Sequence, residues 1–382
     1  MRLQDAWVRH AGTQALCAAL GVSGYRALFV GGCVRNALLG APVADIDIAT
    51  DALPETVCNI AESAGFKVIP TGLDHGTVTV IAGGVHHEVT TFRRDVETDG
   101  RHAVVVFSTD IAEDAARRDF TMNALYAEPS GQVIDPLGGI DDLRARRVRF
   151  VGDAGQRIRE DYLRILRFFR FHAAYGDATQ GIDAEGLAAC AELADGMAGL
   201  SRERVLSELR KLLAADNPAP AVGAMAQAGV LAQVLPGADA TGLAPLVHLE
   251  DGLGPRWQRR LAVLGGDADN LRLSRAEQGE IRRIRDEIGA GRTPAVLGWV
   301  LGEVPAQDVM LCRAALLQMP LPAGWQAQVQ RGAQAVFPVT AGDLMPALIG
   351  PALGAELRLM QQRWLDSDLT LTKAALLHPC AD

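Results

Sequence analysis

The sequence is poor in several residue types that would otherwise direct its interpretation. Aromatic residues make up only 5% of the 382 residues, and the six cysteines are scattered without a CxxC pair. Aliphatic side chains must therefore build most of the core, and we expect reduced thiols rather than disulfides or a zinc site. No apolar run reaches the roughly 20 residues of a membrane span, and MRLQDAWVRH lacks the apolar segment of a secretory signal. These absences predict a globular cytoplasmic protein with no membrane partner.

Lysine is also scarce, so nearly all of the positive charge is arginine. Only Lys67, Lys211 and Lys373 occur, and the formal net charge is −9. An acidic chain is not expected to bind nucleic acid through its overall charge. Nine arginines nevertheless fall between positions 144 and 170, and a local basic stripe is enough to follow a phosphate backbone.

The chain changes character near residue 150. Before that point, strand-like runs alternate with short helical segments, among them a helix over 5–21, a buried strand at 27–30 and a half-buried strand at 45–49. Beyond it the pattern is helical, with one long period over 157–175 and later helices broken by Pro and Gly. The predicted fold class is α+β, with a head at 1–145 that holds a mixed or antiparallel sheet, a helical neck at 146–215, and a helical body and tail at 216–382.

Two carboxylates, Asp45 and Asp47, form the first candidate site. One residue apart on a strand, they point to the same face. A divalent cation relieves their repulsion, and Mg²⁺ prefers oxygen ligands and leaves positions for substrate phosphates. Two such ions could hold the attacking oxygen and the leaving group of a nucleotidyl transfer. The alternative is a solvated strand face.

A Gly31-Gly32 turn and a short helix precede this strand. Glycines let a backbone approach phosphates closely, and a helix N-terminus favours anions. Arg35, one turn into the helix, could pair with a phosphate. The order strand, Gly-Gly, helix, acidic strand is much less expected by chance than any one of its parts.

The second candidate site is the run RRDFTMN at 117–123. Arginine can clamp triphosphate oxygens in a fork, and Asp119 and Asn123 could bond ribose hydroxyls. Asp119 could equally cap the segment by accepting a backbone N–H, with both arginines solvated.

The third candidate site is the pair Asp161 and Arg164 within the helix predicted over 157–175. Residues three apart on a helix are neighbours. Asp161 can accept from the exocyclic amine of cytosine or adenine, while Arg164 donates to the ring nitrogen beside it. Uracil and guanine offer a carbonyl and an N–H instead, which the pair would reject by about 1–3 kcal/mol. Arg167 and Arg170, further along the row, could reach phosphates. The alternative is a salt bridge on a solvated helix face.

Five ordered segments resemble the motifs of tRNA nucleotidyltransferases of the bacterial and eukaryotic type, the CCA-adding enzymes, which bacterial poly(A) polymerases share. They are VGGCVRNALLG…DIDIAT, RRDFTMNAL, DPLGGIDDL, RIREDYLRILRFFRF and SRERVLSELRKLL. Together they span about residues 25–215. One departure is Asn36, where the family usually has Asp.

The resemblance implies roles for the residues already singled out. Asp45 and Asp47 would ligate Mg²⁺, and Asp161 with Arg164 would act as an amino-acid template for CTP and ATP. The remaining nucleotide-binding residues would be Gly31, Gly32, Arg35, Arg118, Asp119, Asn123, Arg167 and Arg170. Glu88, in HHEVTTFR, falls where the superfamily often places a third catalytic carboxylate, the alternative being a plain surface glutamate.

The implied activity is addition of C, C and A to tRNA 3′ ends with release of pyrophosphate, and no protein partner is implied. Residues 90–107 resemble the flexible loop of CCA-adding enzymes, in which Asp99 and Arg101 would help the switch from CTP to ATP. By analogy, residues 216–382 would hold the tRNA. The alternatives are a poly(A) polymerase, a partial CC- or A-adding enzyme, and a non-catalytic RNA-binding protein. The intact Asp45 and Asp47 pair argues against the last.

Overall fold

The computed structural model describes residues 1–70, 72–99 and 102–378. The chain divides into two compact units. The first comprises Met1–Leu212 and Pro220–Val234, and the second comprises Leu213–Ala219 and the chain from Leu235 onward. All strands of the described residues belong to the first unit. The head, neck and body boundaries drawn from the sequence stay predictions.

The first unit is built on a mixed sheet, as predicted. In chain order the strands are β1 (Ala27–Val30), β2 (Ile46–Thr50), β3 (Lys67–Ile69), β4 (Thr77–Ala82), β5 (Val85–Thr91), β6 (Arg93–Asp99), β7 (His102–Phe107), β8 (Tyr126–Ala127) and β9 (Val133–Ile134). Seven of them form one sheet in the order β3-β4-β5-β2-β1-β8-β9. The neighbours are antiparallel except β2 and β5, which are parallel.

Burial explains the placement of these strands. All four residues of β1 are buried, as suits a central strand covered on both faces, whereas β4 alternates buried and half-buried residues. The remaining strands, β6 and β7, form a separate antiparallel hairpin. The resemblance treated residues 90–107 as a flexible loop, whereas the structure pairs two strands there. Arg101 lies outside the described residues.

The helices up to residue 234 follow in chain order. They are α1 (Ala11–Val22), α2 (Gly32–Leu39), α3 (Pro54–Ser63), α4 (Ile111–Ala116), α5 (Gly139–Arg144), α6 (Ala154–Glu160), α7 (Leu163–Tyr175), α8 (Ala184–Glu192), α9 (Arg202–Leu213), α10 (Ala219–Gln227) and α11 (Val230–Val234). Short 3-10 turns lie at Leu73–His75, Thr121–Asn123 and Ala194–Gly199.

Two helix predictions are wrong in their extent. The first helix begins at Ala11 rather than at residue 5, because the His10 side chain accepts the Thr13 N–H as an N-cap and Leu3 pairs with Gly131 through its backbone. The long period over 157–175 is two helices, α6 and α7, and not one.

The second unit is helical throughout its described residues, as predicted. Its helices are α12 (Leu243–Leu249), α13 (Trp257–Leu264), α14 (Arg275–Ile288), α15 (Pro294–Leu301), α16 (Glu303–Leu317), α17 (Trp325–Gln334), α18 (Ala341–Leu344), α19 (Gly350–Asp366) and α20 (Lys373–Leu377). Arg259 and Arg260 are buried in this unit and are neutralised by Glu250 and Asp308. Among the described helices, none has both the length and the apolar character needed to cross a membrane.

Candidate active site

The acidic residues come together through the parallel pairing of β2 and β5. In that register Asp47 lies directly beside Glu88, so the two side chains share one face of the sheet. Asp45 precedes β2 by one residue and is exposed, as Glu88 is. Within the described part of the chain, no hydrogen bond or ion pair satisfies these three carboxylates.

This concentration of negative charge changes the pKa of Asp47. Burial first, and then the neighbouring charges of Glu88 and Asp45, raise the pKa of Asp47 to about 6, while Arg118 acts in the opposite direction. In the described residues, no three His, Cys, Asp or Glu side chains are gathered tightly enough to hold a metal ion by themselves. Mg²⁺ is commonly held by one or two carboxylates together with substrate phosphates, so the oxygen donors of Asp45 and Asp47 fit that ion.

The glycine turn lies next to Arg118. Gly31 has a φ of 70° and precedes α2 as its N-cap, a conformation that favours glycine. A Cβ built on Gly31 would lie 3.4 Å from Nη1 of Arg118, and one built on Gly32 would lie 3.8 Å from Nη2 of Arg35. The guanidinium groups of Arg118 and Arg35 therefore lie close to the backbone of this turn.

Asp114 fixes Arg118, and sequence reasoning missed it. Its buried carboxylate accepts from Arg118 at 2.9 Å and from the Tyr126 hydroxyl at 2.7 Å, and it pairs with Arg117 at 2.7 Å. Burial alone would raise the pKa of Asp114, but these two arginines and Tyr126 hold it at about 2. An acid three and four residues before two arginines on a helix was the available signal.

Asp119 caps its own segment, as one alternative from the sequence proposed. The same alternative expected Arg117 and Arg118 to be solvated, which is wrong because both pair with Asp114. One carboxylate oxygen accepts the Phe120 N–H at 2.9 Å and the Asn123 amide at 2.9 Å. The other accepts from Arg167 at 2.5 Å. Phe120 packs on Phe171 with ring centroids 5.0 Å apart, which brings α7 to this motif. Contact of Asp119 and Asn123 with a ribose stays a prediction.

Arg35 is 6% exposed and has neutral partners. It donates to Oδ1 of Asn123 at 2.5 Å, to Oδ1 of Asn36 at 2.9 Å and to the Tyr175 hydroxyl at 2.8 Å. Asn36, the departure from the family pattern, also donates to the Pro42 carbonyl at 2.8 Å. Nothing in the sequence signalled Tyr175, because it lies 140 residues away.

Asp161 and Arg164, which the sequence predicts to read the base, are not neighbours on one helix, so the prediction of a shared helix is wrong. Asp161 is extended, with φ −154° and ψ 105°, at the end of α6. Its carboxylate accepts the Leu163 N–H at 3.1 Å and a guanidinium N–H of Arg204 at 2.6 Å. These two contacts explain why the chain breaks here. Arg204, in α9, was not singled out from the sequence.

Arg164 lies in the first turn of α7 and is held by several acceptors. It donates to Glu160 at 2.5 Å, to the Arg157 carbonyl at 2.8 Å and to the Arg117 carbonyl at 3.2 Å. The last contact ties α7 to the RRD motif. Arg118, the next residue along the chain, is the one whose charge acts on Asp47.

Arg167 and Arg170, expected to reach phosphates, lie on α7 in ion pairs. Arg167 pairs with Asp119, and Arg170 donates to Glu208 at 2.5 Å. Near the hairpin, Arg94 lies 3.8 Å from Glu113, while Asp99 is described only as the last residue of β6.

Comparison with known proteins identifies relatives of this chain. The family model described as "Poly A polymerase head domain" matches residues 27–149, and one described as "Probable RNA and SrmB- binding site of polymerase A" matches residues 181–241. The mitochondrial CCA tRNA nucleotidyltransferase 1 of Mus musculus is 34% identical over 375 residues, covering 91% of this chain and 84% of that protein.

Two bacterial proteins are similar as well. The CCA-adding enzyme of Geobacillus thermodenitrificans is 44% identical over 216 residues, which cover 56% of this chain and 52% of that protein. The crystal structure of the Bacillus stearothermophilus CCA-adding enzyme in complex with CTP superposes with a TM-score of 0.74 at 30% identity, covering 96% of this chain and 94% of that one.

The fold is that of a nucleotidyltransferase. The chain belongs to the family of CCA-adding tRNA nucleotidyltransferases, which confirms the resemblance read from the five motifs.

Proposed function

We propose that this chain adds C, C and A to the 3′ end of tRNA from CTP and ATP, with Asp161 and Arg164 selecting the base. The observation that carries the proposal is the bond from Arg164 to the Arg117 carbonyl. This bond supports the proposal because it joins Arg164 to the residue before Arg118, whose charge acts on Asp47. One bound triphosphate can therefore meet the selecting and the acidic residues together.

Asp45 and Asp47 would hold Mg²⁺. When bound, the ion neutralises charge that develops on the attacking and leaving oxygens of the transfer. The chain's own contribution is the acidic face formed by Asp47, Asp45 and Glu88, whose mutual repulsion makes a cation favourable there. Catalysis of phosphoryl transfer consists mainly of positioning and electrostatic stabilisation.

Donor and acceptor counting supports the selection of bases. Arg164 uses Nη1 twice and Nη2 once, so of its five N–H groups the Nε–H and one Nη2–H have no acceptor among the described residues. Asp161 keeps one further lone pair on each oxygen beyond its two bonds. These groups match the ring acceptor and exocyclic amine of cytosine and adenine, and they mismatch uracil and guanine.

Arginines close to the acidic face would receive the triphosphate. Arg118 is rigidly oriented by Asp114 and lies beside the Gly31 turn. Arginine recognises phosphate oxygens in a bidentate manner, so the pair of turn and guanidinium suits a phosphate. Asp119 and Asn123 hold each other and would present their remaining hydrogen-bonding groups to the ribose.

A single assay tests the proposal. The purified protein is given tRNA lacking its 3′ CCA, each labelled nucleoside triphosphate and Mg²⁺, and the products are sequenced. We expect two C followed by one A and then termination. A long A tail would indicate a poly(A) polymerase, addition of C alone or A alone a partial enzyme, and no incorporation a non-catalytic RNA-binding protein. Each of these three results contradicts the proposal.

A further inference from the structure

Three arginines of the nucleotide site surround one aromatic ring on α7. The guanidinium carbons of Arg35, Arg167 and Arg170 lie 5.1, 5.3 and 4.3 Å from the centre of the Phe171 ring. Cations are attracted to the face of an aromatic ring at such distances. The ring thus gathers three like charges that would otherwise repel each other.

Two carboxylates neutralise this cluster only in part. Asp119 pairs with Arg167 and Glu208 pairs with Arg170, which leaves the charge of Arg35 without a carboxylate partner in the described residues. Arg35 is nevertheless buried. A buried charge with only neutral partners is costly, and that cost falls when an anion arrives.

Tyr175 is the second aromatic residue at this point, one helical turn after Phe171. The guanidinium of Arg35 stacks 4.0 Å from the centre of its ring and also donates to its hydroxyl at 2.8 Å. Through Nη1 the same guanidinium donates to Asn123, which in turn donates to Asp119. A change at Tyr175 therefore reaches Asn123 and Asp119, the proposed ribose contacts, through Arg35.

We propose that Tyr175, together with Phe171, is a positioning residue that orients Arg35 for the triphosphate of the incoming nucleotide. The aromatic pair replaces a carboxylate that would compete with phosphate for the guanidinium. This inference rests on the proposed function, because it assigns residues to the same nucleotide site. Tyr175 acts through Arg35 and reads no base, so CTP and ATP depend on it equally.

Two variants and one matched control test the inference. Y175F keeps the ring and removes the hydroxyl, and Y175L removes both. Y25F makes the same change at a tyrosine whose hydroxyl has no hydrogen bond among the described residues. For Y175F we expect the KM for CTP and for ATP to rise by the same factor, roughly 5-fold. The kcat and the preference for CTP over UTP stay within about 2-fold of the wild type. For Y175L the KM rises further, to roughly 20-fold.

A merely structural role would produce a different pattern. A fall in kcat at unchanged KM, a changed base preference, equal effects of Y175F and Y25F, or equal effects of Y175F and Y175L would each overturn the inference. Thermal melting of all variants shows whether they fold. If Y175L unfolds, the KM values of Y175F still test the inference.

Binding of inorganic tripolyphosphate, measured by calorimetry, separates this inference from the proposed function. Y175F is expected to weaken binding roughly 5-fold while Y25F leaves it unchanged. If the wild type transfers no nucleotide, the proposed function fails. The tripolyphosphate titration then still tests whether Tyr175 positions Arg35. Wild-type affinity in Y175F, or no binding of tripolyphosphate to the wild type, would overturn the inference.

Discussion

The surroundings of Asp47 disfavour the charged form of its carboxyl group. Burial and the carboxylates of Glu88 and Asp45 raise its pKa to about 6, against the influence of Arg118. The sequence predicted the pair Asp45 and Asp47 from their spacing alone. It could not predict that Glu88 lies in register with Asp47, because the pairing of residues 41 positions apart in the chain depends on the whole sheet.

Replacing Asp47 by Asn separates its catalytic role from its effect on stability. A pKa raised in the folded state contributes stability below the unfolded pKa near 4, and this contribution disappears as the pH rises through about 6. We expect D47N to lose nucleotidyl transfer but to gain, in EDTA, up to about 3 kcal/mol relative to the wild type between pH 4 and pH 8. Urea unfolding at both pH values measures this, with D141N as an exposed control. An equal difference in unfolding free energy between D47N and the wild type at both pH values would contradict this prediction.

Asp114 shows the opposite linkage, since its pKa falls to about 2. Its contribution to stability is present above the unfolded pKa near 4 and is lost as the pH falls through about 2. D114N is therefore expected to cost about 2 kcal/mol at pH 7, and the cost should shrink towards pH 2. Urea unfolding across this range checks the prediction. A cost that did not change with pH would show that packing rather than charge holds Asp114 in place.

At the scale of elements, the sequence predicted what is local and missed what is made by distant contacts. The glycine turn, α2 and β2 follow from short patterns and appear at the expected places. The break between α6 and α7 does not, because Arg204 holds Asp161 from 43 residues away. The two-residue strands β8 and β9 were likewise missed, since only their pairing with β1 defines them.

The helices α15 and α17 cross so closely at Gly332 that only glycine fits there. A Cβ on Gly332 would lie 1.8 Å from the Ala295 carbonyl oxygen, whereas one on Gly279 in α14 would meet nothing within 4 Å. We expect G332A to separate the two helices and to destabilise the protein by more than about 2 kcal/mol. G279A should stabilise it by roughly 0.5–1 kcal/mol through helix propensity. Thermal or urea unfolding compares the two, and a neutral G332A would show that the helices can shift.

At the scale of the whole molecule, the net charge is acidic although the candidate site is rich in arginine. Each arginine of the candidate active site belongs to the first unit, and Asp114, Glu160, Asp119 and Glu208 orient four of them. The sequence identified the arginines through their clustering but did not reveal this pairing. The predictive signal was residue type and order, and the orientation of each guanidinium came only from the fold.

The account depends most on the claim that protein side chains, rather than a nucleic-acid template, choose the base. The most direct measurement is the ratio of kcat/KM for CTP to that for UTP in D161A, with E192A on the exposed face of α8 as the control. We expect the ratio to fall by roughly 10- to 100-fold in D161A, with tRNA affinity nearly unchanged and E192A like the wild type. Undiminished discrimination against UTP in a folded, active D161A would contradict the claim.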